Sequence, residues 1–132
     1  MTVVVDASVV VAALVGAGPA GNWAEQVLAS DTLAAPHLMP VEVASILRRS
    51  VLTRLLSAET AALAHADLLD LRVSLQPYEP LASRCWELHP NVTAYDAWYV
   101  ALAEALAAPL ATLDVKLSRA TGPRCEYLTH RA

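Results

Sequence analysis

Val3-Val4-Val5-Asp6-Ala7-Ser8 opens the chain with three β-branched residues that run straight into a carboxylate. A short, continuous apolar run of this kind, followed by an Ala/Val-rich segment, is the pattern of a central strand in a parallel sheet covered on both faces. Asp6 then stands where the strand stops. In open α/β sheets, ligands bind in the crevice outside the carboxyl ends of the strands, so an acid there is placed for chemistry. The same Asp6 could equally cap the helix that follows, by accepting a backbone N–H.

Outward from that strand, helical and extended patterns alternate, the signature of βαβ units around a parallel sheet. Ser8 to Val15 suits a short helix, and through Val9, Val10 and Val11 equally a strand. Gly16 to Gly21 reads as a turn. Asn22 with Glu25 resembles a capping box opening a helix through Trp23, Val27 and Leu28 that stops near Ser30. Thr32 to Ala35, closed by Pro36, is a strand, and a helix with Pro40 in its first turn runs from there toward Leu52. Ser57 starts another helix through Leu63, Leu68 and Leu71. Arg72 to Gln76 is extended, Leu81 to Leu88 helical, and Thr93 with Asp96 opens a helix over Tyr95 to Ala107. That helix is apolar nearly all round, with Glu104 as its only interior charge, which buries it on more than one side. Leu110 to Thr112 is a fourth strand ending at Asp114, and Cys125 to Leu128 a fifth. The expected architecture is α/β, with four to five parallel strands in one domain spanning residues 1–132.

Bulk properties narrow the function classes. The 132 residues suffice for one core, 56% of them are hydrophobic, and phenylalanine is absent. Asp6 interrupts the only candidate for a long apolar span, and the N-terminus lacks the positive charge of a signal peptide. Cys85 and Cys125 fall in core-like segments, which suits unpaired thiols in a reducing cytoplasm, without disulfide or zinc. Nine basic residues against thirteen acidic ones give a net charge of −4. A polyanionic partner must therefore be held by local basic groups or by metal.

Four carboxylates each follow a structural boundary: Asp6 after the first strand, Glu42 early in the third helix, Asp96 in a first helical turn, and Asp114 after the fourth strand. If the strands are parallel, all four share one edge of the sheet. Two unit charges about 5 Å apart repel by roughly 3 kcal/mol at an effective dielectric of 20, so such a cluster must be protonated or neutralised. Hard oxygen ligands without clustered His or Cys select Mg²⁺ or Mn²⁺. Such a site suits phosphodiester hydrolysis, in which a metal activates water and stabilises the leaving oxygen. Taken singly, each acid has an ordinary alternative: Asp96 at the helix dipole, Asp114 as an N-cap, Glu42 solvated on the surface.

The blocks Val4-Val5-Asp6-Ala7-Ser8, Pro36 with Glu42-Val43-Ala44, Tyr95-Asp96-Ala97-Trp98-Tyr99-Val100-Ala101-Leu102-Ala103 and Ala111-Thr112-Leu113-Asp114 carry a resemblance over essentially the whole length. The chain resembles PIN-domain ribonucleases, and within them the VapC-type toxins of bacterial toxin–antitoxin pairs. The resemblance implies a three-layer α/β/α fold, a homodimer, and a small antitoxin that occupies the active-site groove. It implies that Asp6, Glu42, Asp96 and Asp114 form the metal site, supported by the hydroxyls of Ser8 and Thr112. Asp6, Asp96 and Asp114 are then the principal ligands, and Glu42 orients or deprotonates the attacking water. A further acid after Asp114, carried by some relatives, is replaced here by Lys116 and Arg119.

RNA contacts are expected from Arg49, two helical turns beyond Glu42 on the same face, and from Lys116 and Arg119. Arg48, Arg54 and Arg124 are weaker candidates, and exposed Arg and Lys commonly serve solubility alone. His37, His65, His89 and His130 share no metal-like spacing and suit helix ends or surface. The tryptophans suit core or dimer packing. Two rival readings remain. Gly16-Ala17-Gly18-Pro19-Ala20-Gly21 is a literal G-x-G-x-x-G, as in flavin- or nicotinamide-binding Rossmann proteins, but Pro36 and Pro40 interrupt the segment that should lead to its second acid. A receiver-like signalling domain with an acidic Mg²⁺ pocket wants paired acids after the first strand, where Ala7 and Ser8 stand.

Overall fold

The computed structural model of the chain describes residues 1–16, 18–29 and 32–130. Ala17 inside the glycine stretch and Ser30, the expected stop of the second helix, lie outside them. Five strands form one all-parallel sheet: β1 (Thr2–Val5), β2 (Thr32–Pro36), β3 (Ser74–Gln76), β4 (Leu110–Ala111) and β5 (Tyr127–Leu128), in the order β3-β2-β1-β4-β5. The valine run takes the centre. Val3, Val4 and Val5 are all but fully buried, so consecutive residues pointing to opposite faces are both covered. Each such side chain contributes roughly 1.5–3 kcal/mol relative to exposure. A strand covered on both faces cannot alternate apolar with polar, which is why the run is unbroken.

Helices α1 (Ala7–Val15), α2 (Gly18–Leu28), α3 (Met39–Leu52) and α4 (Ala58–Asp70) join β1 to β2 and β2 to β3; α1 packs against each of the other three. Helices α5 (Ala82–Glu87) and α6 (Ala94–Leu106) then carry the chain back across the sheet to β4, and α7 (Val115–Ser118) follows. The β1-to-β2-to-β3 steps and the return to β4 run in opposite directions from β1. Right-handed crossovers therefore place α1–α4 on one face and α5–α6 on the other, giving three layers. Helix α6 lies on β1, β2 and β4. It buries Ala97, Tyr99, Val100, Ala101, Leu102 and Ala103, and the alanines let it sit close to the sheet. Its interior charge, Glu104, accepts from Arg84 Nε at 2.7 Å and Nη2 at 3.1 Å and from the Arg124 amide at 2.8 Å, which fastens α5 and the C-terminal loop to α6.

The structure corrects one local expectation. Helix α2 starts at Gly18, with Pro19 suited to its first turn, so Asn22 with Glu25 is interior and caps nothing. Of the tryptophans, expected in core or dimer packing, Trp23 and Trp98 pack partly buried against the core, and Trp86 is 69% exposed. No single described helix is long and apolar enough to cross a membrane.

The glycines also find a structural use. The segment before them is helix α1 and not a strand, so the dinucleotide fingerprint lacks its first element. Gly18 adopts φ +76°, and a Cβ on Gly21 would lie 2.8 Å from Gly16 Cα. The close approach of α1 and α2 thus requires a hydrogen at Gly21. Gly21→Ala should destabilise the fold by about 1–3 kcal/mol through overpacking, measured by chemical denaturation; a variant as stable as the parent would show that this junction yields freely.

Candidate active site

The strand order reverses between β1 and β4, and the crevice at that switch point is where Asp6 and Asp114 emerge. Asp6 follows β1 directly. Its amide donates to the Ala111 carbonyl of β4 at 3.2 Å, which holds the two strand ends together. Asp6 is also the N-cap of α1: its Oδ1 accepts from the Val9 amide at 3.1 Å and from Ser8 Oγ at 2.6 Å. Ser8 Oγ in turn accepts from the Leu113 amide at 3.2 Å, spanning 105 residues of sequence. Thr112 is fully buried; its Oγ1 accepts the Asp114 amide at 2.9 Å, and its hydroxyl also bonds the Asp6 carboxylate. The hydroxyls of Ser8 and Thr112 thereby tie the first acid to the last.

Asp114 caps α7 through Oδ1, which accepts from the amides of Lys116 at 2.9 Å and Leu117 at 3.2 Å. Asp96 sits at the third position of α6, where its amide donates to Oγ1 of the N-cap Thr93 at 3.2 Å. Glu42 lies in the first turn of α3, on the opposite helical layer. The modest alternatives for Asp6, Asp96 and Asp114 are therefore real: each serves its helix terminus. They are compatible with a second role, because a carboxylate has about four lone pairs and each cap is made through one oxygen.

Asp6, Glu42, Asp96 and Asp114 line one cleft of about 170 Å³, together with Ser8, Ile46 and Tyr99. Among the described residues, no basic side chain lines it. Burial raises the Asp6 carboxyl above the ordinary aspartate range, against the lowering effect of its hydrogen bonds. Burial also raises Asp96, reinforced by the charges of Asp114 and Asp6. Glu42 is raised by burial and by the charges of Asp96 and Asp6, while its bond to Tyr99 lowers it. Among the described residues, no three carboxylate, imidazole or thiol groups stand close enough to form a ligating cluster. The acids share the cleft and face one another's charge without closing on a common point. As a donor set they are hard oxygens in a desolvated recess lacking its counter-charge, which fits Mg²⁺ or Mn²⁺ and not a soft metal.

Tyr99 belongs to this site and escaped the reading of the sequence. Its hydroxyl donates to Glu42 Oε1 at 2.6 Å and accepts from the Ala7 amide, linking α6, α3 and the start of α1 across the sheet edge. The available signal was its spacing: Tyr99 lies three residues after Asp96, on the same helical face. In sequence it looks like core, and at 2% exposure it is core as well. Of the expected basic residues, Arg49 lines an adjoining groove with Glu42. Lys116 and Arg119 are exposed on and just after α7 and line neither cavity, and Arg124 is fastened near Glu104, eight residues beyond Asp96 along α6.

The raised carboxyls set the sign of a pH effect. A folded-state pKa above the ordinary 3.8 or 4.5 means the folded protein holds the proton more tightly than the unfolded chain. Stability from these groups is fully present below the unfolded values and is lost as pH rises through the folded ones. With a chelator present, the melting temperature should fall between mildly acidic and neutral pH, and Asp6→Asn should flatten that slope. A melting temperature that climbs over the same interval in the parent protein would contradict the crowding of charge in the cleft.

The chain is similar to known proteins in sequence and in fold. The PIN domain family pattern matches residues 3–123. Ribonuclease VapC1 of Mycobacterium tuberculosis is 44% identical over 124 residues, covering 93% of this chain and 93% of the relative. The VapC ribonuclease Mb0985 of Mycobacterium bovis is 42% identical over 123 residues, 93% of this chain and 94% of the relative. Two solved structures share the fold. VapC20 of M. tuberculosis, described as a sarcin–ricin loop cleaving toxin, gives a TM-score of 0.67 at 18% identity over 89% of this chain and 93% of its own. VapBC2 of Rickettsia felis, bound to a DNA fragment from its promoter, gives 0.68 at 17% identity over 98% of each. With this identity running through nearly the full length and the acids of all four blocks meeting in one cleft, the chain belongs to the PIN-domain family, among its VapC ribonucleases.

Proposed function

We propose that this protein is a divalent-metal-dependent endoribonuclease that serves as the toxin of a toxin–antitoxin pair. The observation that carries the reading is the meeting of Asp6, Glu42, Asp96 and Asp114, from four separate parts of the chain, in one recess that no basic residue lines among the described residues. Asp6, Asp96 and Asp114 would hold Mg²⁺ or Mn²⁺. Bound there, the metal supplies polarisation of the phosphoryl oxygen and acidification of a water.

The remaining work falls to the protein's own groups. Glu42 orients the attacking water and takes its proton. Tyr99 holds Oε1 of that carboxylate, so Oε2 is the oxygen that faces the water. Burial raises the Glu42 carboxyl toward the working pH, which improves a general base provided it stays ionised. Ser8 and Thr112 fix the rotamer of Asp6, so the ligand is oriented before substrate arrives. Arg49, Lys116 and Arg119 hold phosphates in contacts that position RNA without reading its sequence. A homodimer in the cytoplasm, with a small antitoxin covering the acidic groove, completes the reading; toxin–antitoxin complexes among proteins of the same fold support the partner.

Asp6→Asn should keep the melting temperature close to that of the parent while lowering RNA cleavage in Mg²⁺ by at least about a hundredfold, equivalent to several kcal/mol of transition-state charge stabilisation. Undiminished cleavage by that variant would refute the assignment. Tyr99→Phe should lower kcat by roughly tenfold or more with little change in KM, since a hydrogen bond to a charged group is worth about 1.5–3 kcal/mol. Equal kcat in the two proteins would mean that Glu42 needs no anchoring.

A further inference from the structure

Beside the acidic cleft, α3 and α6 enclose a second recess in which only Arg49 and Glu42 have been given a role. Leu38, Val41, Ser45 and Arg49 form one stripe along α3, and Tyr95 faces them from the first turn of α6, around a groove of about 420 Å³. Glu42 and Ile46 line both this groove and the acidic cleft, so the two are continuous. Tyr95 is 61% exposed and Val41 60%, although the rest of α6 from Ala97 onward is largely buried. Among the described residues, the Tyr95 side chain takes part in no hydrogen bond or ring–ring contact, and the Arg49 guanidinium has no hydrogen-bond or ion-pair partner. Arg49 lies seven residues beyond Glu42, about 10 Å along the helix.

The carboxylates repel an RNA strand wherever a bound cation does not offset them, so contacts outside the cleft add to its affinity. Among the described residues Arg49 is the only cation lining either cavity, and an unpaired guanidinium is suited to a phosphate oxygen. A tyrosine open to solvent in a groove shared with a valine is suited to a nucleobase, because every base has a π-face to stack. An aromatic face next to the acids and a cation one step farther on is the order in which a single strand presents base and backbone.

Granting the ribonuclease activity proposed above, we propose that this groove is a nucleotide subsite for single-stranded RNA: the base flanking the cleaved bond stacks on Tyr95 against Val41, and Arg49 holds the next phosphate. The subsite sets affinity and register along the strand, while the acids carry out hydrolysis.

The test uses the full-length protein and a mixed-sequence single-stranded RNA oligonucleotide, with binding followed by anisotropy in the Asp6→Asn background. Tyr95→Ala should weaken binding, and raise KM in the otherwise unaltered enzyme, by roughly 5- to 150-fold with little change in kcat, the range of one lost base stack. Tyr95→Trp should restore both, an effect that a merely structural role would not produce. Arg49→Ala should weaken binding and flatten the slope of log affinity against log salt by about 0.7, the signature of one lost phosphate contact on a single strand. Both side chains are exposed, and unchanged melting curves would confirm intact folds. Unaltered KM and affinity in Tyr95→Ala, with cleavage still abolished by Asp6→Asn, would overturn the subsite and leave the nuclease standing. If instead RNA cleavage is unaffected in both groove variants while inhibition by the adjacent gene's small protein weakens, the groove docks a protein and the nucleotide assignment is wrong. Cleavage that persists in Asp6→Asn would overturn the ribonuclease reading itself, and the subsite with it.

Discussion

A parallel sheet sends the carboxyl ends of all its strands to one rim, and here that rim gathers negative charge. Asp6 and Asp114 stand at the ends of adjacent strands, while Asp96 and Glu42 reach the same recess from the first turns of helices on opposite faces. Repulsion among partly desolvated carboxylates is the constraint that the surrounding structure answers. Burial raises the Asp6, Glu42 and Asp96 carboxyls, reinforced for Glu42 and Asp96 by neighbouring charge, and short hydrogen bonds from Ser8 to Asp6 and from Tyr99 to Glu42 fix individual oxygens against that pressure. A hard cation relieves the same repulsion, so the feature that makes the recess costly as it stands also makes it selective for what it binds.

Each acid is inexpensive to place because each also serves a local purpose. Asp6 and Asp114 satisfy orphan amides at two helix starts, and Asp96 sits in a first turn where the macrodipole favours negative charge. Capping fixes the position of the Cβ and the direction of the carboxyl group within its own segment. Convergence then depends only on how the segments are stacked. Tyr99 performs the joining step between layers: from the buried face of α6 it reaches over the sheet edge to Glu42 on α3 and to the Ala7 amide of α1. The site is therefore coupled to the packing of the core, since the residue that steadies Glu42 is itself a core residue.

Several elements were legible because their signals are local. The unbroken Val3-Val4-Val5 run announced a doubly covered strand, Pro40 marked the first turn of α3, and Ser57 and Thr93 marked the caps of α4 and α6. The glycine stretch misled in its details for a physical reason: Gly16, Gly18 and Gly21 show that the backbone needs room or a positive φ, but not whether a phosphate or a neighbouring helix comes close. Asn22 with Glu25 carried the right residues for a capping box, yet the helix had already begun at Gly18, where the tight α1–α2 junction turned the chain earlier than propensity indicated. Core or dimer packing was expected of all three tryptophans, and Trp86 stays out of the core because nothing in a single residue's identity states which face of a short helix meets it.

What the sequence by itself determined is the set of ingredients: an α/β alternation, one buried central strand, and carboxylates at four segment boundaries, all encoded in patterns a few residues long. What only the tertiary structure decided is adjacency. Strand order places β4 beside β1 and not at an edge, and that choice brings Asp114 to Asp6 across 108 positions and lays Tyr95 beside Arg49. Periodicity and capping act over one or two turns of chain, whereas strand order is settled by the crossover hand and by which apolar faces can be covered together; those are properties of the whole sheet that no short segment carries.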